Sequence, residues 1–97
     1  HQDKPFFPHD NDTMMAAIVH FDDAPLEKGC VRVVPGTHKS DLEHRSEGSW
    51  HLDPEVWKVE DALPIEAKAG DVLFFNYMTV HGSGVNTSSD SRTTLLI

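Results

Sequence analysis

Apolar residues in this chain come in short runs and hardly ever at helical spacing. Met14-Met15-Ala16-Ala17-Ile18-Val19-His20-Phe21, Cys30-Val31-Arg32-Val33-Val34, Val72-Leu73-Phe74-Phe75 and Thr93-Thr94-Leu95-Leu96-Ile97 are the main ones. Their lengths suit strands rather than helices. Turn formers bound them: Asp22-Asp23-Ala24-Pro25, Leu26-Glu27-Lys28-Gly29, Pro35-Gly36 and Ala69-Gly70-Asp71. Pro35-Gly36 fits the two central positions of a type II turn, because proline presets φ and glycine takes the positive φ. Pro64 to Lys68 alternates like a half-exposed strand, Val72 to Phe75 reads as buried on both faces, and Thr79-Val80-His81 reads as a further strand. One short helix is expected over Pro54 to Val59, with Asp53 as its N-cap and Pro54 as its first residue. Five or six short strands separated by turns predict an all-β sandwich or barrel.

Bulk properties narrow the function classes. Ninety-seven residues make a single domain, 1–97, small for an enzyme. Eight basic against sixteen acidic side chains give a net charge of −8, the wrong sign for a nucleic-acid surface. No apolar run approaches about 18 residues, so no membrane-spanning helix is expected. Cys30 is the lone cysteine, which rules out an internal disulfide and makes a reducing, cytoplasmic setting the expectation. The sequons at Asn11 and Asn86 are read as chance occurrences. The chain starts on a histidine and stops on an apolar strand, as expected of an excerpt from a longer protein.

The chemistry-bearing residues cluster near the two ends. His81-Gly82-Ser83-Gly84 is followed, eleven positions after the histidine, by Arg92 on the last apolar run. Glycines beside a histidine let it approach a metal closely, and an arginine can grip a carboxylate with a planar fork of donors that stays charged when desolvated. An H-x-D pair on an extended backbone points both side chains the same way, and two histidines with one carboxylate form the facial triad of non-haem iron(II) oxygenases. Three such pairs occur: His1-Gln2-Asp3, His20-Phe21-Asp22 and His51-Leu52-Asp53. The third suits a helix-capping loop, and Asp22 suits a solvated turn where an apolar strand ends. Two other readings use the same residues. A cupin-like metalloenzyme that does not use a 2-oxo acid would keep His1, Asp3 and His81 without needing Arg92, and a non-catalytic jelly-roll binding module would leave the histidines incidental.

Six motifs occur in one order: His1-Gln2-Asp3, Asp22-Asp23-Ala24, Glu27-Lys28-Gly29-Cys30-Val31, Val34-Pro35-Gly36-Thr37-His38-Lys39, Ala69-Gly70-Asp71-Val72-Leu73-Phe74-Phe75, and His81-Gly82-Ser83-Gly84 with Arg92. Together they resemble the phytanoyl-CoA dioxygenase family of iron(II)/2-oxoglutarate oxygenases. The resemblance implies a double-stranded β-helix core of jelly-roll, cupin-like type. It implies His1, Asp3 and His81 as iron ligands, Arg92 with Ser83 as the clamp on the distal carboxylate of 2-oxoglutarate, and Gln2 as a further co-substrate contact. It also implies a dioxygen-dependent hydroxylase acting on a small molecule while 2-oxoglutarate is decarboxylated to succinate. Asp3 favours hydroxylation over halogenation, because related halogenases carry a small residue in its place. Ile18 stands where many members have an aromatic wall of the co-substrate pocket, and His20 follows on the same face. Lys4, Phe6, Phe7, His9, Arg32 and Trp50 are candidate substrate contacts, and an apolar wall with a few cations suits an amphipathic acid or thioester.

Overall fold

The computed structural model describes residues 1–6, 14–46 and 51–97. Six strands are present among them: β1 (Met15–His20), β2 (Val31–Val33), β3 (Leu63–Pro64), β4 (Val72–Asn76), β5 (His81–Ser83) and β6 (Thr94–Leu96). They form two three-stranded antiparallel sheets, ordered β4-β1-β6 and β3-β2-β5. The chain crosses between sheets after β1, β3, β4 and β5, which is the winding expected of a double-stranded β-helix.

Alternation along β1 buries Ala16, Ile18 and His20 and turns Met15 outward. The inner faces meet in one apolar cluster, with Ala16, Ile18 and Phe75 from one sheet against Val31 from the other, and Val33 and Leu73 at its edge. The turns follow the residue chemistry. Gly36 has φ 81° and ψ −6°, the third-residue geometry of a type II turn. Thr37 then fastens that turn to β5's approach: its hydroxyl donates to the Val34 carbonyl at 2.6 Å and accepts from the Val80 amide at 2.9 Å.

Four local expectations need correction. β4 is buried on one face only: Phe75 is 7% exposed but Phe74 is 66% exposed. Alternation sends Phe74 to the face opposite Phe75, so a run of four apolar residues reads as more buried than it is. The helix from Pro54 does not propagate. Asp53 caps one turn through its Oδ1 to the Glu55 amide and its carbonyl to the Val56 and Trp57 amides, and a separate 3-10 turn follows at Val59–Asp61. The strand expected from Pro64 to Lys68 shrinks to Leu63–Pro64 and one isolated bridge between Ala24 and Ala67. The strand expected at Thr79 begins instead at His81. Among the described residues, no helix is long and apolar enough to cross a membrane.

Candidate metal and co-substrate site

The first three residues extend the smaller sheet alongside β5. The His1 and His81 main chains exchange hydrogen bonds of 2.7 and 2.8 Å, and the Asp3 amide donates to the Tyr77 carbonyl at 2.7 Å. On this extended backbone His1 and Asp3 point to one side and Gln2 to the other. Asp3 Oδ1 lies 3.3 Å from His1 Nε2 and 3.2 Å from His81 Nε2. The three side chains place one ligand atom each within 4.8 Å of one another, the one such group of three among the described residues. His51-Leu52-Asp53 and His20-Phe21-Asp22 do not join it. Asp53 caps its turn and pairs with Arg45 at 3.0 Å, while Asp22 accepts the Thr93 amide at 2.8 Å.

The donor set suits a divalent metal. Burial would raise the Asp3 carboxyl pKa, but hydrogen bonds and charge from His1 and His81 outweigh it and hold the group well below the usual carboxylate range. It therefore stays ionised, as a ligand must. His81 Nδ1 faces the Thr79 carbonyl at 2.9 Å. That oxygen only accepts, so Nδ1 carries a proton, and with a metal bound Nε2 would be the nitrogen that offers its lone pair, the usual arrangement behind a metal-bound histidine. The His81 ring also packs against Phe75 with centroids 4.6 Å apart, and His1 stands edge-on to Phe6 at 5.2 Å.

Arg92 lies one step before β6 and is half-buried. Its Nε donates to the Lys28 carbonyl at 3.2 Å, and it forms no ion pair with Asp90 or any other described residue. It is close enough to the fully buried Cys30 to act on its thiol, whose pKa is pushed up chiefly by burial and also by Glu66. Ser83 is exposed at the end of β5. The close backbone approach near this segment falls on Gly29, where it passes Gly84, and not on the glycines beside His81. A Cβ on Gly29 would lie 2.3 Å from the Gly84 carbonyl oxygen, whereas one on Gly82 would meet Val59 only at 3.7 Å.

Gln2 stands apart from the ligands, although it was expected to touch the co-substrate. Fully buried, its side-chain amide donates to the Ser40 and Met78 carbonyls at 2.6 and 2.7 Å and accepts from the Leu42 amide at 3.1 Å. Its own amide donates to His44 Nε2 at 2.9 Å, and burial lowers the His44 pKa. Sequence reasoning missed this clamp; its one signal is the H-x-D alternation, which sends the middle side chain the opposite way.

The candidate substrate contacts scatter. Phe7, His9 and Trp50 lie outside the described residues, as does the Asn11 sequon. Lys4 pairs with Asp41. Arg32 pairs in register with Gly82 while Val33 pairs with His81, so Arg32 leaves β2 on the side opposite Val33. It nevertheless shares one cavity of about 450 Å³ with two of the ligands, His1 and His81, together with Val34, Leu52, Trp57 and Val59.

Comparison with known proteins fits this geometry. The probable alpha-ketoglutarate-dependent hypophosphite dioxygenase of Stutzerimonas stutzeri is 31% identical over all of this chain, which spans 37% of that protein. The peroxisomal phytanoyl-CoA dioxygenase of Homo sapiens is 31% identical over 95% of the chain and 30% of its own length. Among solved structures, the epimerase SnoN in complex with Fe3+, alpha ketoglutarate and nogalamycin RO matches with a TM-score of 0.74 at 27% identity, covering 99% of this chain and 38% of that one. The carbocyclase SnoK, also described as non-heme and alpha ketoglutarate dependent, matches with a TM-score of 0.75 at 28% identity, covering 97% and 40%. The chain thus spans about a third of the length of these relatives. The family model for phytanoyl-CoA dioxygenase (PhyH) matches residues 1–94, and the chain belongs to that family.

Proposed function

We propose that this protein is an iron(II)- and 2-oxoglutarate-dependent dioxygenase that hydroxylates a small organic substrate. The observation that carries the reading is the convergence of His1, Asp3 and His81 from the two ends of the chain onto one point. Two imidazoles and a carboxylate occupy one face of an octahedral ion and leave the other for co-substrate and dioxygen. When bound, iron with 2-oxoglutarate and dioxygen supplies the oxidation, one oxygen atom going to substrate and the other to succinate as carbon dioxide leaves. The protein's part is geometry. Asp3 contributes a permanent negative charge, the Thr79 carbonyl holds the His81 ring in its ligating tautomer, and Arg92 grips the distal carboxylate with help from Ser83. A carboxylate at Asp3 favours hydroxylation over halogenation. Matching structures include an epimerase in complex with alpha ketoglutarate and an alpha ketoglutarate dependent carbocyclase, so product analysis is what separates these outcomes.

The test is an anaerobic titration of the full-length protein with iron(II) and 2-oxoglutarate. A visible charge-transfer band is expected in the wild type, lost at the same concentrations in Arg92→Ala. Iron binding without a band would instead support a metalloenzyme that does not use a 2-oxo acid, and no iron binding would support a non-catalytic module. Incorporation of label from dioxygen into a hydroxylated product then distinguishes hydroxylation from rearrangement.

A further inference from the structure

His20 is the buried polar side chain that this reading leaves unused. It lies on the inner face of β1 and is 1% exposed. Its main chain is tied to the turn before β4, since its amide donates to the Asp71 carbonyl at 2.9 Å and its carbonyl accepts from the Gly70 amide at 2.8 Å. On the ring, Nδ1 faces the Asp71 carbonyl at 3.2 Å, whereas Nε2 is buried with no hydrogen-bond partner. A buried imidazole nitrogen without a partner is costly, so its presence in an apolar interior asks for a ligand.

The strand register says where that ligand lies. His20 pairs with Thr94 on β6, and the Phe21 amide still bonds to the Thr93 carbonyl at 3.1 Å. Arg92 comes two residues before Thr94 and therefore on the same side of its strand. That makes it the diagonal neighbour of His20, within reach of a long side chain. The guanidinium spends its Nε on Lys28 and has no hydrogen bond from its terminal amines among the described residues. A buried unpartnered ring nitrogen and a half-buried guanidinium thus lie on the same side of the β1–β6 pair. Ala16, four residues from His20 on the same face, borders the small pocket that includes Asp3.

We propose that His20 Nε2 binds the distal carboxylate of the 2-oxo acid jointly with Arg92, which rests on the co-substrate reading above. The Asp71 carbonyl only accepts, so Nδ1 is protonated. For Nε2 to donate as well, the ring in the complex is an imidazolium, the form that an adjacent carboxylate stabilises. Arg92 supplies the fork of donors, and His20 fixes how far the co-substrate chain reaches from the metal.

The experiment is anaerobic titration of the iron(II)-loaded full-length protein with 2-oxoglutarate and, separately, with 2-oxobutanoate, which chelates the metal but lacks a distal carboxylate. In His20→Ala the dissociation constant for 2-oxoglutarate is expected to rise about tenfold or more, while that for 2-oxobutanoate stays within about twofold. His20→Gln, which restores a donor near Nε2, should recover most of the difference. As an independent readout, the nitrogen resonances of His20 in zinc-loaded wild type should report both ring nitrogens protonated with 2-oxoglutarate and no such change with 2-oxobutanoate. Unchanged 2-oxoglutarate affinity, equal weakening for both oxo acids, or a silent His20 ring would overturn the proposal while leaving the co-substrate reading intact. A wild type that gives no band with 2-oxoglutarate would overturn both.

Discussion

Gly29→Ala probes the crossing that brings Arg92 to the interior. Gly29 sits at φ 72° and ψ 47° after the 3-10 turn Leu26–Lys28, and an L side chain there costs about 1–2 kcal/mol. Its missing Cβ faces main chain rather than a yielding side chain: the Gly84 carbonyl oxygen would be 2.3 Å away and the Gly84 carbonyl carbon 2.8 Å. Relieving such a contact requires moving backbone, worth about 1–3 kcal/mol, so the whole loss should be about 2–5 kcal/mol. Gly36→Ala is the control. It has a similar φ of 81° but nothing within 4 Å of its Cβ, so it should lose only the conformational part. Urea midpoints and slopes of both variants give the two losses, and their difference isolates the crossing. Since the Lys28 carbonyl beside Gly29 anchors Arg92, Gly29→Ala should also weaken 2-oxoglutarate binding, which Gly36→Ala should not. Equal destabilisation of the two variants within about 0.5 kcal/mol would refute the packing argument.

Gln2→Met keeps the length of the side chain but leaves the Leu42 amide and the Ser40 and Met78 carbonyls without its amide; a loss of about 2–4 kcal/mol in denaturant, with weaker metal binding, is expected, and a loss below about 1 kcal/mol would show that the clamp is incidental. Asp3 gives a pH signature in the metal-free protein. Its folded pKa lies below the unfolded value of about 3.9, so its stabilising contribution is full above about pH 4 and is lost as pH falls toward the folded value. The stability difference between wild type and Asp3→Asn should therefore not narrow between neutral pH and about pH 5, and should narrow only below about pH 4; narrowing that begins near pH 6 would contradict the assignment.

Much of the architecture was legible in the residues because it rests on local rules. Apolar runs of strand length broken by turn formers specify strands, and Pro35-Gly36 adopts the type II geometry that its chemistry requires. Where burial decides, local reading failed. Phe74 looks like a core residue until alternation along β4 turns it to the face opposite Phe75, and Asp53 caps one turn that does not continue as a helix.

The candidate site divides in the same way. Alternation on an extended chain by itself determined that His1 and Asp3 share a side, and that an arginine eleven residues beyond His81 stands on the next apolar run. The order of the surrounding motifs singled out His1 and Asp3 among three H-x-D pairs, but spacing alone did not choose, because residue spacing carries no information about which distant strand arrives alongside. Only the tertiary structure decided that: β5 pairs with the His1 backbone and delivers His81 to Asp3 at 3.2 Å. The same pairing turns Gln2 into a structural clamp, and the β1–β6 register sets His20, its Nε2 buried, diagonal to Arg92, since a side chain's partners are set by strand register and sheet packing across the whole chain.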